Sequence, residues 1–359
     1  MRHSVGLSLL AVGLLSVPVD AQKGMPRLNS AGSEPHTLGM RSVPPSLASM
    51  LLAGGLAGLG APSPSTEAPH GPERFSSPPP RLLPAMAFDP VRREVVMFGG
   101  LDSNFFELGD TWVFDGTAWT ERHPPVAPSP RSGAAIAYDR ARVEMVLFGG
   151  STGGDETWTW NGDTWSPEDP VTVPPGRTRP GFAYDGTRRR VVMFGGCCFF
   201  GDTWLWDGAD WTQAAPPVSP STRYSPGMSF DAARREVVLF GGSEGGDETW
   251  TWNGSEWTQR FPAISPPPRS AAGMIYDKAL RRIVLFGGCC VLGDTWRWDG
   301  ATWMELEPDV SPDARHSPGM AYDLARRRAV LFGGIDLDTF TVFGDTWMLR
   351  GSTWREGAH

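Results

Sequence analysis

The sequence has few charged residues and few cysteines, and it has no excess of basic residues. Only 20% of its 359 residues are charged, and 40 acidic against 32 basic residues leave a net charge of -8. Nucleic acids and anionic membranes are bound through a basic face, so the composition argues against both as partners. Sustained helical periodicity is also missing after the N-terminal region. The 44 Gly, 34 Pro and 16 Trp suit a turn-rich all-β protein.

Long apolar runs are missing as well. The run from Val5 to Val17 is too short to cross a bilayer, which favours a cleaved secretory signal over a membrane anchor. Arg2 and His3 supply its positive start, and small residues around Ala21 suit cleavage. We therefore predict a signal peptide at residues 1–21 and a secreted or periplasmic protein, with no membrane insertion after cleavage. No Cys follows directly, so a bacterial lipid attachment site is not indicated.

The next segment, residues 22–71, is rich in Pro, Ser and Gly, and we predict a disordered linker. Residues 48–59 depart from it, because they are apolar and Gly-rich. They are either a second signal-like segment behind a later translation start or a weak helix. The ordered domain is expected at residues 72–359, since residues 73–81 resemble the Pro-rich connections between the later repeats.

The dominant feature of the sequence is a repeat unit that occurs six times. Each copy holds an apolar run ending in Phe-Gly-Gly, a variable loop, Thr-Trp, a turn and a second Trp seven residues after the first. The Gly-Gly pairs lie 50 residues apart once and 46 apart four times. An Arg precedes each Phe of Phe-Gly-Gly by seventeen residues and an Asp by nine. Self-similarity of this period indicates a repeat architecture in which each unit packs on its neighbours.

Each unit contains the patterns of four strands. Small residues after the fixed Arg suit a crowded innermost strand, and the fixed Asp begins the turn into strand two. Strand two is apolar throughout, for example Val237 to Phe240, so both of its faces should be buried. Strand three alternates, as in Thr157 to Trp160, and Asn161-Gly162 predicts a hairpin into strand four. Packing between blades accounts for every Trp.

The double Gly, the spaced aromatics and the Arg that opens each unit resemble kelch repeats over residues 81–359. One departure is that Trp replaces the usual Tyr of strand three. The resemblance implies an all-β fold: a six-bladed kelch-type β-propeller with four antiparallel strands per blade, following the signal peptide and linker. The expected blades are approximately 81–130, 131–176, 177–222, 223–268, 269–314 and 315–359.

The resemblance also places the usual ligand site on one face, around the axis, where the strand 2–3 and strand 4–1 loops open. The fixed Arg and the acid before each Thr-Trp lie on this side. One interpretation is an anion-binding ring of six Arg, and the other is six Arg–carboxylate pairs that brace the blades. Opposite charges at matching positions favour the pairs. After the fixed Arg come Tyr224 and His316 in blades four and six, which with Arg223 and Arg315 orient a ligand or are ordinary polar residues.

The longest strand 2–3 loops, Leu101 to Asp110 and Ile335 to Asp345, belong to the blades that meet at the ring closure. Their aromatic and acidic residues form a partner surface or pack together to seal the closure. Asp336 and Asp338 are too few carboxylates for a calcium site. The binding candidates on the loops are Phe105, Phe106, Phe199, Phe200, Leu337 and Phe340.

The four cysteines form two adjacent pairs, Cys197-Cys198 and Cys289-Cys290, in blades three and five. Blade four lies between them, which disfavours both a cross-link and a four-thiolate zinc site. In an oxidising compartment we expect two vicinal disulfides, strained because adjacent Cα atoms are only about 3.8 Å apart.

We find no catalytic constellation, and expect no metal and no cofactor. Galactose oxidases with kelch-like repeats hold copper with two His and two Tyr, but the repeats here contain only His123, His316 and His359. A six-bladed sialic-acid epimerase is similar in shape, but no catalytic residue can be carried over from it. The leading hypothesis is a secreted, non-catalytic module that binds a protein or glycan. The alternative is a carbohydrate-active enzyme, oxidase or epimerase-like, with its site at the channel mouth.

Overall fold

The computed structural model describes residues 77–152, 154–198, 200–289 and 292–357. These residues form 24 strands in six antiparallel sheets, each of four strands in sequence order. The all-β fold with six four-stranded blades is therefore confirmed. The predicted signal peptide and linker, together with Phe199 and Cys290, lie outside the described residues. No helix among the described residues has the length and apolar character needed to cross a membrane.

The strands fall into six blades with the same layout. Blade by blade they are β1 (Ala85–Asp89), β2 (Glu94–Leu101), β3 (Glu107–Phe114), β4 (Trp119–Arg122); β5 (Ala135–Asp139), β6 (Glu144–Phe148), β7 (Thr157–Trp160), β8 (Trp165–Glu168); β9 (Gly181–Asp185), β10 (Arg190–Phe194), β11 (Thr203–Trp206), β12 (Trp211–Ala214); β13 (Gly227–Asp231), β14 (Glu236–Phe240), β15 (Thr249–Trp252), β16 (Trp257–Arg260); β17 (Gly273–Asp277), β18 (Arg282–Phe286), β19 (Thr295–Trp298), β20 (Trp303–Leu306); β21 (Gly319–Asp323), β22 (Arg328–Phe332), β23 (Thr346–Arg350), β24 (Thr353–Glu356).

The first strands of neighbouring blades contact one another around a central channel, and β21 contacts β1 to complete the circle. The core is therefore six apolar clusters, one between each pair of neighbouring blades. Strand two lies between two clusters, and its apolar run is buried on both faces, as predicted. In β14, for example, Val237, Val238 and Leu239 are all 0% exposed.

The second Trp of each blade joins that blade to the one before it. Trp211 donates from Nε1 to Oγ1 of Thr157 at 2.9 Å, and its ring meets the ring of Phe148 edge-to-face at 5.2 Å. All six second Trp make the same hydrogen bond and the same ring contact. Edge-to-face pairs add about 0.5–1.5 kcal/mol to the area they bury. Thr-Trp and the second Trp are thus parts of one inter-blade contact.

The double Gly lets the next blade come close. Gly99 has a φ of +64°, and a Cβ added to it would lie 2.5 Å from the carbonyl oxygen of Arg131 in the following blade. The N–H of Gly100 donates to that same oxygen at 3.0 Å. Side chains other than hydrogen are excluded here by both backbone conformation and space. At the opposite end of strand one, Oδ1 of Asp89 accepts from the N–H groups of Val91 and Arg92, which forms the predicted turn.

Candidate ligand-binding site

A closed ring of backbone hydrogen bonds surrounds the channel on the face that carries the strand 2–3 and strand 4–1 loops, hereafter the loop face. Each blade contributes the residue two positions after its fixed Arg. The N–H of each donates to the carbonyl of its counterpart one blade earlier at 2.7–3.1 Å, and every one has a positive φ. The ring residues are Leu83, Gly133, Arg179, Ser225, Ala271 and Ser317. They and the residues after them line a cavity of about 170 Å³, hereafter the mouth.

Arg179 is the one charged residue in this otherwise neutral ring. Its stem extends across Gly133, where an added Cβ would lie 2.9 Å from Cγ of Arg179. Its guanidinium carbon lies 5.2 Å from the centre of the Tyr224 ring, which is a cation–π distance. Among the described residues its guanidinium makes no ion pair with an acid. A partly exposed cation therefore stands at the mouth beside a phenol.

His316, on blade six, directly precedes the ring residue Ser317 and lies within electrostatic reach of Arg179. Burial and, to a smaller extent, the positive charge of Arg179 together lower the pKa of His316 to about 4. The imidazole is therefore neutral at physiological pH. Its Nδ1 is 2.8 Å from Oγ of Ser317, a ring residue, and this contact fixes the orientation of the imidazole. Arg179 thus lines the mouth, with Tyr224 beside its guanidinium and His316 within reach of its charge.

The six fixed Arg occupy a different layer. Each is at most 2% exposed and pairs with the acid before Thr-Trp. In blade three, Arg177 contacts both carboxylate oxygens of Asp202 at 2.5 and 2.9 Å, and it also donates to the carbonyl of Gly195. This is the bracing arrangement that the matching charges favoured. Arg223 and Arg315 are both 0% exposed, so they support the mouth from behind and do not line it.

The braces come in two forms. Burial alone raises the pKa of Asp202, but hydrogen bonds from Arg177 and Trp204 with the charge of Arg177 outweigh it, and the pKa is lowered overall. In blades two and four the acid is Glu, and it is more exposed: the Glu156 side chain is 48% exposed against 18% for Asp202. Arg131 then meets a single carboxylate oxygen at 2.6 Å.

The long loops do present exposed aromatic side chains. Strands β2 and β3 extend beyond their counterparts, and the turn between them carries Phe105 and Phe106, which are 46% and 70% exposed. Phe340 in blade six is 47% exposed, and Leu337 is half-buried. Within the described residues no hydrogen bond or ion pair joins these two loops; the hydroxyl of Thr152 in blade two instead donates to Glu107.

Phe200 has a supporting position. Its ring lies 3.9 Å from the guanidinium carbon of Arg177, and Phe343 covers Arg315 in the same way. In the cysteine pair before it, Sγ of Cys197 lies 3.4 Å from Sγ of Cys198, with no bond between them in this structure. Burial raises the pKa of the Cys197 thiol, but hydrogen bonds from Thr178 and Cys198 and the charge of Arg179 lower it overall. The vicinal disulfide here, like that at Cys289-Cys290, stays a prediction.

Tyr224 and His316 were candidates from the sequence, whereas Arg179, which lines the mouth, was not. The missed signal is simple: at the second position after the fixed Arg, five blades carry uncharged residues and one carries Arg. Nothing in a single repeat shows that this position meets its five counterparts on the axis. For metals, no group of three or more His, Cys, Asp or Glu close enough to share an ion occurs in the described part of the chain.

Comparison with known proteins supports the architecture. No family model matches the sequence, and no curated protein is significantly similar to it. Among solved structures, that of YjhT is similar, with a TM-score of 0.57, 13% identity, and coverage of 79% of this chain and 99% of that one. Such low identity shows the fold alone, that of a six-bladed β-propeller. Membership of the kelch family stays a prediction.

Proposed function

We propose that this protein is a secreted, kelch-type binding module that recognises a carboxylate-bearing glycan at the mouth on its loop face. The observation that carries the proposal is the placement of Arg179. It is the charged member of a ring whose other five members are neutral, and it forms no ion pair among the described residues. A guanidinium without a partner carboxylate favours a ligand that brings one, because Arg binds planar anions through two parallel hydrogen bonds.

The size and polarity of the mouth favour a sugar acid over a protein segment. A cavity of about 170 Å³ has room for one small group and not for a folded partner. The ring of Tyr224, beside Arg179, suits the face of a pyranose. The exposed Phe105 and Phe106 stand on the same face, where they can contact the remainder of a longer glycan. Secretion follows from the signal-like N terminus and is part of the proposal.

The alternative is a carbohydrate-active enzyme that uses Arg179, Tyr224 and His316. One observation favours it: His316 is neutral, and in the tautomer whose Nδ1–H donates to Oγ of Ser317 its Nε2 is a proton acceptor. A pKa of about 4 makes it a weak base at neutral pH, which favours binding over catalysis.

A glycan array tests the proposal. The wild type is expected to bind glycans that end in a sugar acid and to ignore their neutral counterparts. Arg179→Met should lose this binding while its thermal unfolding is unchanged. As a control, Arg327→Met removes a charge from the opposite face and should bind normally. Selective binding of neutral glycans, or acid binding that survives in Arg179→Met, would overturn the proposal. Conversion of a bound sugar, followed by NMR, would support the enzyme alternative instead.

A further inference from the structure

The opposite end of the channel holds a second, larger cavity. It has a volume of about 290 Å³ and opens on the face that carries the strand 1–2 turns, hereafter the turn face. Ordinary small-molecule sites begin at roughly 300 Å³, so this cavity is of sufficient size for a small organic ligand. It lies beyond the ring at the mouth, and none of the residues assigned to the mouth lines it.

The wall of this cavity is an aromatic belt with one side chain from each blade. Its members are Phe88, Tyr138, Tyr184, Phe230, Tyr276 and Tyr322. The phenol oxygens of Tyr184 and Tyr322 each accept a hydrogen bond of 3.1 Å from a backbone N–H in the turn of the preceding blade. These two hydroxyls are therefore tied to the neighbouring blades, which holds their rings in place beside the channel. Methionine side chains of the first strands, such as Met228 and Met274, form the inner part of the cavity.

Two cations stand at the rim of the belt. They occupy the same repeat position, two residues after the belt residue, which is neutral in the other four blades: Arg140 belongs to blade two and Lys278 to blade five. Blades two and five of six lie on opposite sides of the axis. Both side chains are exposed, and neither makes an ion pair among the described residues.

The aspartates of this face are buried, and those of five blades are already paired with an Arg. One Asp follows each belt residue, and all six are at most 4% exposed. In five blades this Asp pairs with an Arg of its own turn, as Asp139 does with Arg142 at 2.6 Å. In blade five, Asp277 accepts from the N–H groups of Ala279 and Leu280. A ligand in the cavity therefore meets aromatic rings, thioethers and two free cations.

We propose that the turn-face cavity is a second binding site, which takes a small aromatic carboxylate. The aromatic belt and the methionines bury the ring of the ligand, and Arg140 or Lys278 pairs with its carboxylate at the rim. Two rim cations across the axis let the carboxylate bind in either of two orientations. The site is independent of the mouth and of the glycan proposed to bind there.

The test uses 2-naphthoate as the probe and the neutral 2-naphthamide as its matched control. With the Met methyl groups labelled with ¹³C, naphthoate is expected to shift the resonances of Met228 and Met274. It should bind about two- to fivefold more tightly than naphthamide, because exposed charge pairs give modest gains. The double variant Arg140→Gln/Lys278→Gln should bind both probes equally, and Arg179→Met should bind naphthoate as the wild type does. Equal affinity of the wild type for the two probes, or no shift of the Met resonances, would overturn the proposal.

Discussion

Trp119 donates a hydrogen bond of 2.9 Å from Nε1 to Oγ1 of Thr346, and this bond joins the first blade to the last. The same bond joins every other pair of neighbouring blades, but those pairs are also connected by the chain. Blade six is built entirely from residues after 318, so no shared strand closes the ring. Closure rests on non-covalent contacts, among them this bond, the contact of Trp119 with Phe332 and the backbone bond from Gly334 to Arg81.

The hydrogen bond between Trp119 and Thr346 should contribute measurably to the free energy of unfolding. We predict that Thr346→Val lowers the free energy of unfolding by about 1–2 kcal/mol, because it leaves the buried N–H of Trp119 without an acceptor. Thr346→Ser keeps the oxygen and is the control, with a smaller loss. Urea unfolding followed by Trp fluorescence gives both values. If the Val and Ser variants lose the same free energy of unfolding, the hydrogen bond does not contribute to closure.

The two buried Trp of blade three should differ in their tolerance of Phe. Trp206 and Trp211 are 0% and 1% exposed, but Nε1 of Trp206 has no hydrogen-bond partner among the described residues, whereas Trp211 bonds to Thr157. Phe114 already fills the position of Trp206 in blade one. Both Trp→Phe changes remove the same volume, so we predict that Trp211→Phe costs about 1 kcal/mol more than Trp206→Phe. Calorimetry of the two variants measures the difference, and the reverse order would contradict the packing described above.

The Arg–carboxylate braces should respond to mutation according to their burial. Asp202→Asn leaves the buried Arg177 without its counter-ion and is expected to cost about 3 kcal/mol. Glu156→Gln should cost about 1 kcal/mol, because that acid is half exposed and water can replace it. The pKa of Asp202 is lowered in the folded state. Its contribution is therefore complete above the unfolded pKa of about 3.9 and is lost as the pH falls through the folded value.

Unfolding measured from pH 7 to pH 2 checks that sign. The loss of stability at low pH should be smaller in Asp202→Asn than in the wild type, since the variant has no such carboxyl to protonate. A variant that loses stability as steeply as the wild type would show that this brace does not contribute to acid unfolding.

His316 provides a second pH-dependent test. Its pKa of about 4 lies below the ordinary 6.5, so between these values the unfolded chain binds more protons than the folded one. Stability should therefore fall as the pH drops from about 6.5 towards 4, and His316→Gln should flatten that part of the profile. NMR titration of the imidazole should show a higher pKa in Arg179→Met, because burial remains but the neighbouring charge is gone. An unchanged pKa would show that the charge of Arg179 does not act on His316.

The repeat itself predicted most of the architecture. Six copies of Phe-Gly-Gly, Thr-Trp and the second Trp establish the number of blades and strands, because each apolar run can be buried only between two neighbours. The same logic predicted that Arg177 and Asp202 would pair. Sequence spacing within one unit could not show that Trp211 reaches back to Thr157, since the partner belongs to another blade.

The candidate site was less predictable for a related reason. The roles proposed for Arg179 and the aromatic belt depend on six equivalent positions that meet around the axis. A single unit of the repeat does not show which of its positions meet there. The sequence predicted that the loops carry aromatic residues, but it did not predict what those residues contact. The ring of Phe200, a candidate for ligand contact, covers Arg177. Phe105 lies in the turn of a hairpin whose strands, β2 and β3, have eight residues each, whereas the corresponding strands of the other blades have four or five.

The most direct test of the central claim compares the affinity of the protein for a sugar acid with its affinity for the corresponding neutral amide. Isothermal titration of a uronic-acid-terminated oligosaccharide and of its amide gives the ratio in the wild type and in Arg179→Met. Arg179 as the carboxylate receptor predicts a ratio of about ten or more in the wild type and close to one in the variant. A ratio near one in the wild type, or a ratio unchanged by the substitution, would contradict it.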